Sequence, residues 1–339
     1  MDARVKVPEI REGIKMRLCR FARRGITRAG FFQDEGVIDL NALARRYRVQ
    51  EGPLPLEADP LPDDLLVYLP PDGEGMATAQ ALWEFLARSD EPVLREPPVF
   101  WPWEAVRLRV PIPHPPKLLC LAGNYTAHVE ESGLLAKERE ETFPRFFLKP
   151  TSTTLSDPEA TVALPTISPH HIDWEVELAV VIGRRGKHIP AEQALDHVAG
   201  YTLLLDLSDR DLRLNPHRVP RLPWDDFFDW MHGKWHDGFA PLGPCIASAQ
   251  AIPNPQTLAI SLRVNEQTMQ DSNTGNMIFP VADLIAYASS FMTLEAGDVI
   301  ATGTPSGVGM ARGLFLKPGD LVEGTVEGIG TLRVRMAEE

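Results

Sequence analysis

Glu175 and Glu177 stand two residues apart in HIDWEVELAVVIG (171–183), and Asp173 precedes them by two more. In a strand, alternate residues share one face. The two glutamates would then have Cα atoms roughly 7 Å apart. Their charges would repel by about 2 kcal/mol at an effective dielectric of 20. Water, basic neighbours or a divalent cation can relieve that repulsion, and a solvated strand face is the commoner solution. Two details oppose it here. The strand continues as ELAVVIG without polar alternation, as a buried strand does, and a second apolar run, GYTLLLDLSDRD, ends on Asp206. Two neighbouring core strands offering Glu175, Glu177 and Asp206 would form a hard, oxygen-only donor set. That set suits Mg²⁺, or Mn²⁺ and Ca²⁺, better than Zn²⁺. Asp173 either supports the set or is simply solvated.

Other residue types could do chemistry beside it. His128 and Glu131, in GNYTAHVEESG, are three apart and share a helix face. A histidine oriented by a carboxylate can act as a general base near neutral pH, although by itself the pair also fits a plain surface helix. Lys149 follows the apolar run RFFL, where a strand ends. Lys234 sits in HGKWHDGF, which also reads as a solvated loop. Arg210 follows Asp206 by four, next to Asp209 and Asp211, either of which could pair with it. His232 and His236 are four apart, but no HExxH pattern or cysteine partner supports a zinc site. TGTPSGVG (302–309) lacks the Gly-Lys-Ser/Thr ending of a nucleotide loop. Its small residues instead let backbone amides and Thr304 approach an anionic group closely.

These residues need a scaffold of strands. KLLCLAGN, ELAVVIG, GYTLLLDLS, LAISLRVN, DVIATGT, DLVEGTV and TLRVRM read as strands. LEAGDVI and LKPGDLV open two of them with a Gly-Asp corner. NALARRYRV, ATAQALWEFLARS, TAHVEESGLLAKERE and VADLIAYASSF have helical spacing. Residues 1–15 read as a flexible N-terminus. A proline-rich passage, EPPVFWPWEAVRLRVPIPHPPKLL, rules out a regular helix. It places a boundary near residue 112 between a small N-terminal α+β domain (16–112) and a larger, β-rich domain (113–339). The stretch 213–233 reads as a long loop with a short helix, and long ordered loops are often functional.

The chain has 339 residues, of which 44% are hydrophobic, enough for a sizeable core. Its formal net charge of −13 argues against a nucleic-acid partner, which would want a basic face. No apolar stretch is long enough to span a membrane, and the first residues lack a signal-peptide core. Cys19, Cys120 and Cys245 form no CxxC pair, which points to a reducing, cytoplasmic setting.

DWEVELAVVIG, GYTLLLDLSDRDL, GKWHDGFAPLGP and MIFPVADLIAYASSFMTLEAGDVIATGTPSGVG together resemble the fumarylacetoacetate hydrolase family, over about residues 105–339. The resemblance implies an α+β, β-rich fold with a rolled mixed sheet, and a homodimer. It implies Glu175, Glu177 and Asp206 as ligands of a divalent metal, usually Mg²⁺. It makes His128 and Glu131 a catalytic pair on a lid segment and Lys234 a cation for developing negative charge. Arg210, Lys149 and Thr304 become contacts to substrate or supports of the site. The implied reaction is metal-dependent hydrolysis of a carbon–carbon bond in an acylpyruvate-type 2,4-dioxo acid, through an enolate held at the metal. Decarboxylation of an oxaloacetate-like acid and isomerisation of 2-oxo dicarboxylates in aromatic catabolism are the family's alternatives. A non-catalytic, metal-stabilised binding protein is the alternative from another class, and it would have no use for His128 and Glu131.

Overall fold

The computed structural model describes residues 16–89, 97–133, 135–137, 139–217, 219, 222 and 224–339, so the flexible N-terminus expected over 1–15 lies outside the described residues. The chain opens with β1 (Arg17–Arg23), β2 (Ile26–Phe32) and β3 (Gly36–Asp39), then α1 (Leu40–Gln50), α2 (Glu74–Arg88), β4 (Phe100–Pro102) and β5 (Arg107–Arg109). Asp39 caps α1 by accepting from Asn41 N and Ala42 N, which satisfies two of the helix's free amides. Next come β6 (Leu118–Ala122), α3 (Thr126–Glu131), β7 (Arg145–Leu148), β8 (Leu155–Ser156), β9 (Thr161–Leu164), β10 (Ile172–Asp173) and β11 (Val176–Ile182). They are followed by β12 (Val198–Leu205), β13 (Ser208–Asp209), α4 (Asp225–His232), β14 (Ala240–Ser248), β15 (Ala259–Val264) and β16 (Gln267–Asn273). The chain closes with α5 (Val281–Phe291), β17 (Val299–Ala301), α6 (Gly309–Arg312), β18 (Leu321–Val326) and β19 (Gly330–Glu338).

The main sheet is mixed and runs β4-β3-β2-β1-β14-β12-β11-β17-β6-β7, with β5 on β1 and β8 on β14. The leading strands thus extend the sheet that carries the site, because β1 pairs with β14. A second sheet runs β16-β15-β18-β19-β9, and β10 pairs with β13. Among the described residues, no helix is long and apolar enough to cross a membrane.

β11 and β12 are buried along their whole lengths, for a visible reason. Val176, Leu178, Val180 and Ile182 face one core with residues of the second sheet such as Leu262 and Val334. Ala179 and Val181 face another core with residues of α1 and α2 such as Leu43 and Leu82. The second sheet lies close against the first. A Cβ on Gly324 of β18 would meet the side chains of Leu205 and Val176 at 3.0 Å.

One expected helix is shorter in the structure. Among the described residues of TAHVEESGLLAKERE, only Thr126–Glu131 are α-helical (α3), and a separate 3-10 turn starts at Arg139. Gly133 follows α3 with φ +76°, a conformation that helices do not continue through. VADLIAYASSF coincides with α5, and the loop at 213–233 carries α4. APLGPCIAS, which prolines and glycine disguise, forms the nine-residue strand β14.

Candidate active site

The register of β11 and β12 builds the acidic centre. Val176 pairs with Leu205, and Asp206 N then donates to Glu175 O at 2.8 Å. Glu175 and Glu177 lie on the face of Ala179 and Val181, at the strand's entry, and Asp206 comes off the adjacent strand end. Ligand oxygens of Glu175, Glu177 and Asp206 all lie within 4.8 Å of one another, and the three residues are buried.

Three cations partly balance them. Lys234 Nζ donates to Glu175 Oε2 at 2.8 Å and to Asp206 Oδ2 at 2.6 Å. Lys149 Nζ donates to Asp206 Oδ1 at 2.5 Å, Leu207 O at 3.1 Å and Phe239 O at 2.7 Å. Arg210 holds Asp173 Oδ2 through Nε at 2.9 Å and Glu175 through Nη2. The Asp209 and Asp211 partners considered from the sequence do not hold it. Asp209 instead accepts from Ser168 Oγ and pairs with His236 Nε2 at 3.2 Å, and among the described residues no metal-binding group includes His232 or His236.

Asp173 is not solvated, contrary to one sequence expectation. It is fully buried and accepts from Trp174 N at 2.7 Å, Gly309 N at 2.6 Å and Met310 N at 3.1 Å, besides Arg210. The 302–310 loop supplies further amides. Gly303 N donates to Glu177 Oε2 and Gly307 N to Glu131 Oε2, both at 2.8 Å. The anionic groups that this loop approaches are therefore the chain's own carboxylates. Thr304 Oγ1 donates to Val176 O at 3.0 Å and accepts from Gln270 Nε2 at 2.8 Å.

The electrostatics separate the two glutamates. Burial works against the Glu175 carboxylate, but Lys234 and Arg210 outweigh it and hold the group well below the usual carboxylate range. Burial, together with the charges of Asp206 and Glu175, pushes Glu177 well above that range. Burial also opposes the Lys234 ammonium, yet Asp206 and Glu175 hold it above its ordinary value. With all four carboxylates ionised (Asp173, Glu175, Glu177 and Asp206), the three cations (Lys149, Arg210 and Lys234) would leave one negative charge in excess, which the raised Glu177 pKa relieves by protonation in the absence of a cation. Tyr125 Oη is buried without a hydrogen-bond partner, within reach of the charge on Glu177. An oxygen-only cluster with surplus negative charge and an orphaned hydroxyl nearby fits a hard divalent cation.

A cavity of about 760 Å³ opens beside this centre. Glu175, Arg210, Lys234 and Thr304 line it, and so do His128 and Glu131 from α3. His128 Nδ1 bonds Glu131 Oε1 at 2.8 Å. One cavity therefore joins the expected base pair, Arg210, Lys234 and part of the carboxylate centre. Lys149 does not line it, and its three donors are all given to protein acceptors. In the structure the Lys149 ammonium is bonded to Asp206 Oδ1, Leu207 O and Phe239 O. Sequence reasoning missed Trp230, Phe147 and Arg145, which also line the cavity. The ammonium of Lys234 lies 5.3 Å and 5.7 Å from the ring centroids of Phe147 and Trp230. For Trp230, the aromatic content of PWDDFFDWMHG was the available signal.

Residues 117–337 match the model of the fumarylacetoacetate hydrolase C-terminal domain. The chain belongs to this family, whose members are enzymes. It is 40% identical over 235 residues to the human oxaloacetate tautomerase FAHD2B, mitochondrial, covering 68% of this chain and 69% of that protein. It is 36% identical over 299 residues to the bovine oxaloacetate tautomerase FAHD2A, mitochondrial, covering 88% and 82%. Among solved structures, a fumarylacetoacetate hydrolase from Exiguobacterium antarcticum superposes with a TM-score of 0.71 at 28% identity, covering 96% of this chain and 100% of that one. Maleylpyruvate hydrolase from Sphingobium sp. SYK-6, in complex with manganese(II) ion and pyruvate, gives 0.68 at 30% identity, covering 95% and 99%.

Proposed function

We propose that the chain moves a proton next to the 2-oxo group of a small 2-oxo acid, with a divalent cation held by Glu175, Glu177 and Asp206. The observation that carries this reading is the His128–Glu131 pair lining the same cavity as Glu175, Arg210 and Lys234. When bound, a divalent cation supplies a Lewis acid and compensates the charge of the centre. The donor set favours Mg²⁺, with Mn²⁺ or Ca²⁺ as substitutes.

The chain's own residues supply the remaining steps. Arg210 is anchored by Asp173 and Glu175 yet borders the cavity, so it can orient the substrate's carboxylate. Glu131 occupies His128 Nδ1, which leaves Nε2 to take the proton from carbon 3. The electron pair of that C–H bond becomes the C2–C3 double bond, the carbonyl π pair moves onto the 2-oxo oxygen, and Lys234 stabilises the charge arriving there. Returning the proton from Nε2 to oxygen gives the enol, and returning it to carbon gives the keto form. The Gly307 amide fixes Glu131, and through it the ring. Keto–enol tautomerisation is the leading reading, in line with the names of the human and bovine relatives.

Carbon–carbon hydrolysis of an acylpyruvate-type 2,4-dioxo acid is the second reading, favoured by the carboxylate-held histidine. There Nε2 takes a proton from water and the hydroxide attacks carbon 4. The bond between carbons 3 and 4 then breaks to a carboxylic acid and the enolate of pyruvate, which is protonated. The proposal extends to a homodimer as the assembly and the cytoplasm as the compartment. The compartment is to be checked by fractionation, since the named relatives are mitochondrial.

The test follows the enol absorbance of oxaloacetate, and pyruvate release from acetylpyruvate and from oxaloacetate, with metal-stripped protein and with added Mg²⁺. Mg²⁺-dependent enol loss above the metal-only background, without pyruvate, supports the tautomerase. Pyruvate from acetylpyruvate supports the hydrolase, and pyruvate from oxaloacetate alone points to decarboxylation. No response in any assay rejects all three.

A further inference from the structure

Lys137, Arg145, Arg210 and Lys234 all line the cavity, and they differ in what they already hold. Arg210 and Lys234, at the carboxylate centre, are each bonded to two carboxylates. Arg145 and Lys137 also line the cavity. Among the described residues, neither makes an ion pair. Arg145 donates to Thr142 Oγ1 at 3.1 Å, and its guanidinium lies 5.4 Å from the ring centroid of Phe143. The contrast with Arg139 is local, since that residue, in the same segment, is paired with Asp283 at 2.7 Å.

β7 fixes where Arg145 stands. Its register on β6 pairs Ala122 with Arg145 and Cys120 with Phe147. Alternate side chains of a strand share a face, and Arg145 and Phe147 both line the cavity while Phe146 and Leu148 do not. Lys149, directly after the strand, reaches Asp206. One row thus runs from a cation without a carboxylate, past an aromatic ring, to the acidic centre. Arg145 is thus a cation without an ion-pair partner among the described residues, on the wall of the same cavity that Arg210 and Lys234 line.

We propose that Arg145 binds the distal carboxylate of the substrate, so that the site selects 2-oxo dicarboxylates over 2-oxo acids with a neutral tail. The proposal rests on the reading that the acidic end of the cavity takes the 2-oxo acid. Lys137 adds positive charge to the lining of the same cavity. Arg145 is exposed, so its replacement leaves the fold intact and its effect shrinks with added salt.

The experiment compares the protein with its R145Q and R145K variants, all loaded with Mg²⁺. Tautomerisation of oxaloacetate is set against that of its 4-ethyl ester. R145Q is expected to raise KM for oxaloacetate by about 5- to 10-fold at low salt, leave the ester within about 2-fold, and be largely rescued in R145K. Equal effects on acid and ester, or no effect on either, overturn the proposal. A binding measurement separates this from failure of the catalytic reading. Malate and lactate share a 2-hydroxy acid head and differ by the distal carboxylate. Calorimetry should show tighter malate binding, with the preference lost in R145Q, whether or not any 2-oxo acid turns over. Turnover without that preference overturns the Arg145 assignment alone.

Discussion

Replacing Glu177 by Gln tests the charge reasoning at the acidic centre directly. Glu177 belongs to two like-charged pairs, with Glu175 and with Asp206, at ligand-atom separations within 4.8 Å. Each pair costs roughly 3 to 4 kcal/mol at an effective dielectric of 20. Glu175 and Asp206 have direct cation contacts, whereas among the described residues Glu177 accepts only the Gly303 amide, at 2.8 Å. Gln keeps an oxygen for that amide and removes the charge. Burial and the charges of Asp206 and Glu175 push the Glu177 carboxyl toward its protonated form, which limits the repulsion. An acid with a raised folded pKa keeps its proton after the unfolded chain has lost it. Stability of the metal-free protein therefore falls as pH rises from the unfolded value of 4.5 through the folded value, and then levels off.

E177Q should remove that slope. With protonation limiting the penalty, the gain in metal-free protein at pH 8 is about 1 to 3 kcal/mol, or roughly 2 to 6 °C in Tm for a chain of this size. At pH 4 the two proteins should melt together. Added Mg²⁺ reverses the order. At a hundred times Kd, a cation stabilises the wild-type protein by about 2.7 kcal/mol, and E177Q should lose most of that shift. The assay is calorimetric melting of chelator-stripped protein at both pH values, with and without Mg²⁺. A variant that melts below wild type without metal at pH 8, and still gains the full shift with Mg²⁺, would refute both the repulsion and the assignment of the triad.

Two further substitutions separate roles within the site. H128Q should lower kcat by about 10²- to 10⁴-fold while the Mg²⁺-induced rise in Tm persists, and turnover near the wild-type rate would remove His128 as the base. K149M strands Asp206 Oδ1, Leu207 O and Phe239 O in the interior. It should cost about 3 to 5 kcal/mol, read as a lower Tm, and weaken Mg²⁺ binding by calorimetry, whereas a loss of substrate affinity alone would contradict its placement behind Asp206.

Much of this site was legible because its signals are periodic or paired. The two-residue spacing of Glu175 and Glu177 places both on one strand face. The three-residue spacing of His128 and Glu131 gives the 2.8 Å contact. VADLIAYASSF carries a continuous helical pattern with a proline before its first residue, and it folds over those residues. What escaped depends on contacts between distant segments. Arg210 has two acidic neighbours in sequence but bonds Asp173 and Glu175, because β10 pairs with β13 and brings residue 173 beside it. TAHVEESGLLAKERE looked like one long helix because apolar spacing continues past Gly133, yet that residue's positive φ stops it. β14 was hidden by Pro241, Gly243 and Pro244, residue types that mark turns in most sequences.

The buried acids have distinct duties, and one loop connects them. Gly303, Gly307 and Gly309 give their amides to Glu177, Glu131 and Asp173 respectively. These carboxylates belong to the candidate cation-binding cluster, the His128–Glu131 pair and the anchor of Arg210. A segment of seven residues therefore sets the relative positions of three groups from different parts of the chain. Glycine is required where the backbone must come this close. A Cβ at Gly307, whose φ is +103°, would lie 2.1 Å from Met269 O, and one at Gly309 would lie 2.7 Å from Asp173 Oδ1. Asp173 belongs to the same design. Its carboxylate links this loop to Arg210, and Arg210 in turn holds Glu175. Three carboxylates at alternate positions are costly only while they are considered as one charged strip. Asp173 turns to the loop and Arg210, and Glu175 to Lys234 and Arg210. Among the described residues, Glu177 has no cation of its own, so a divalent ion has most to gain there.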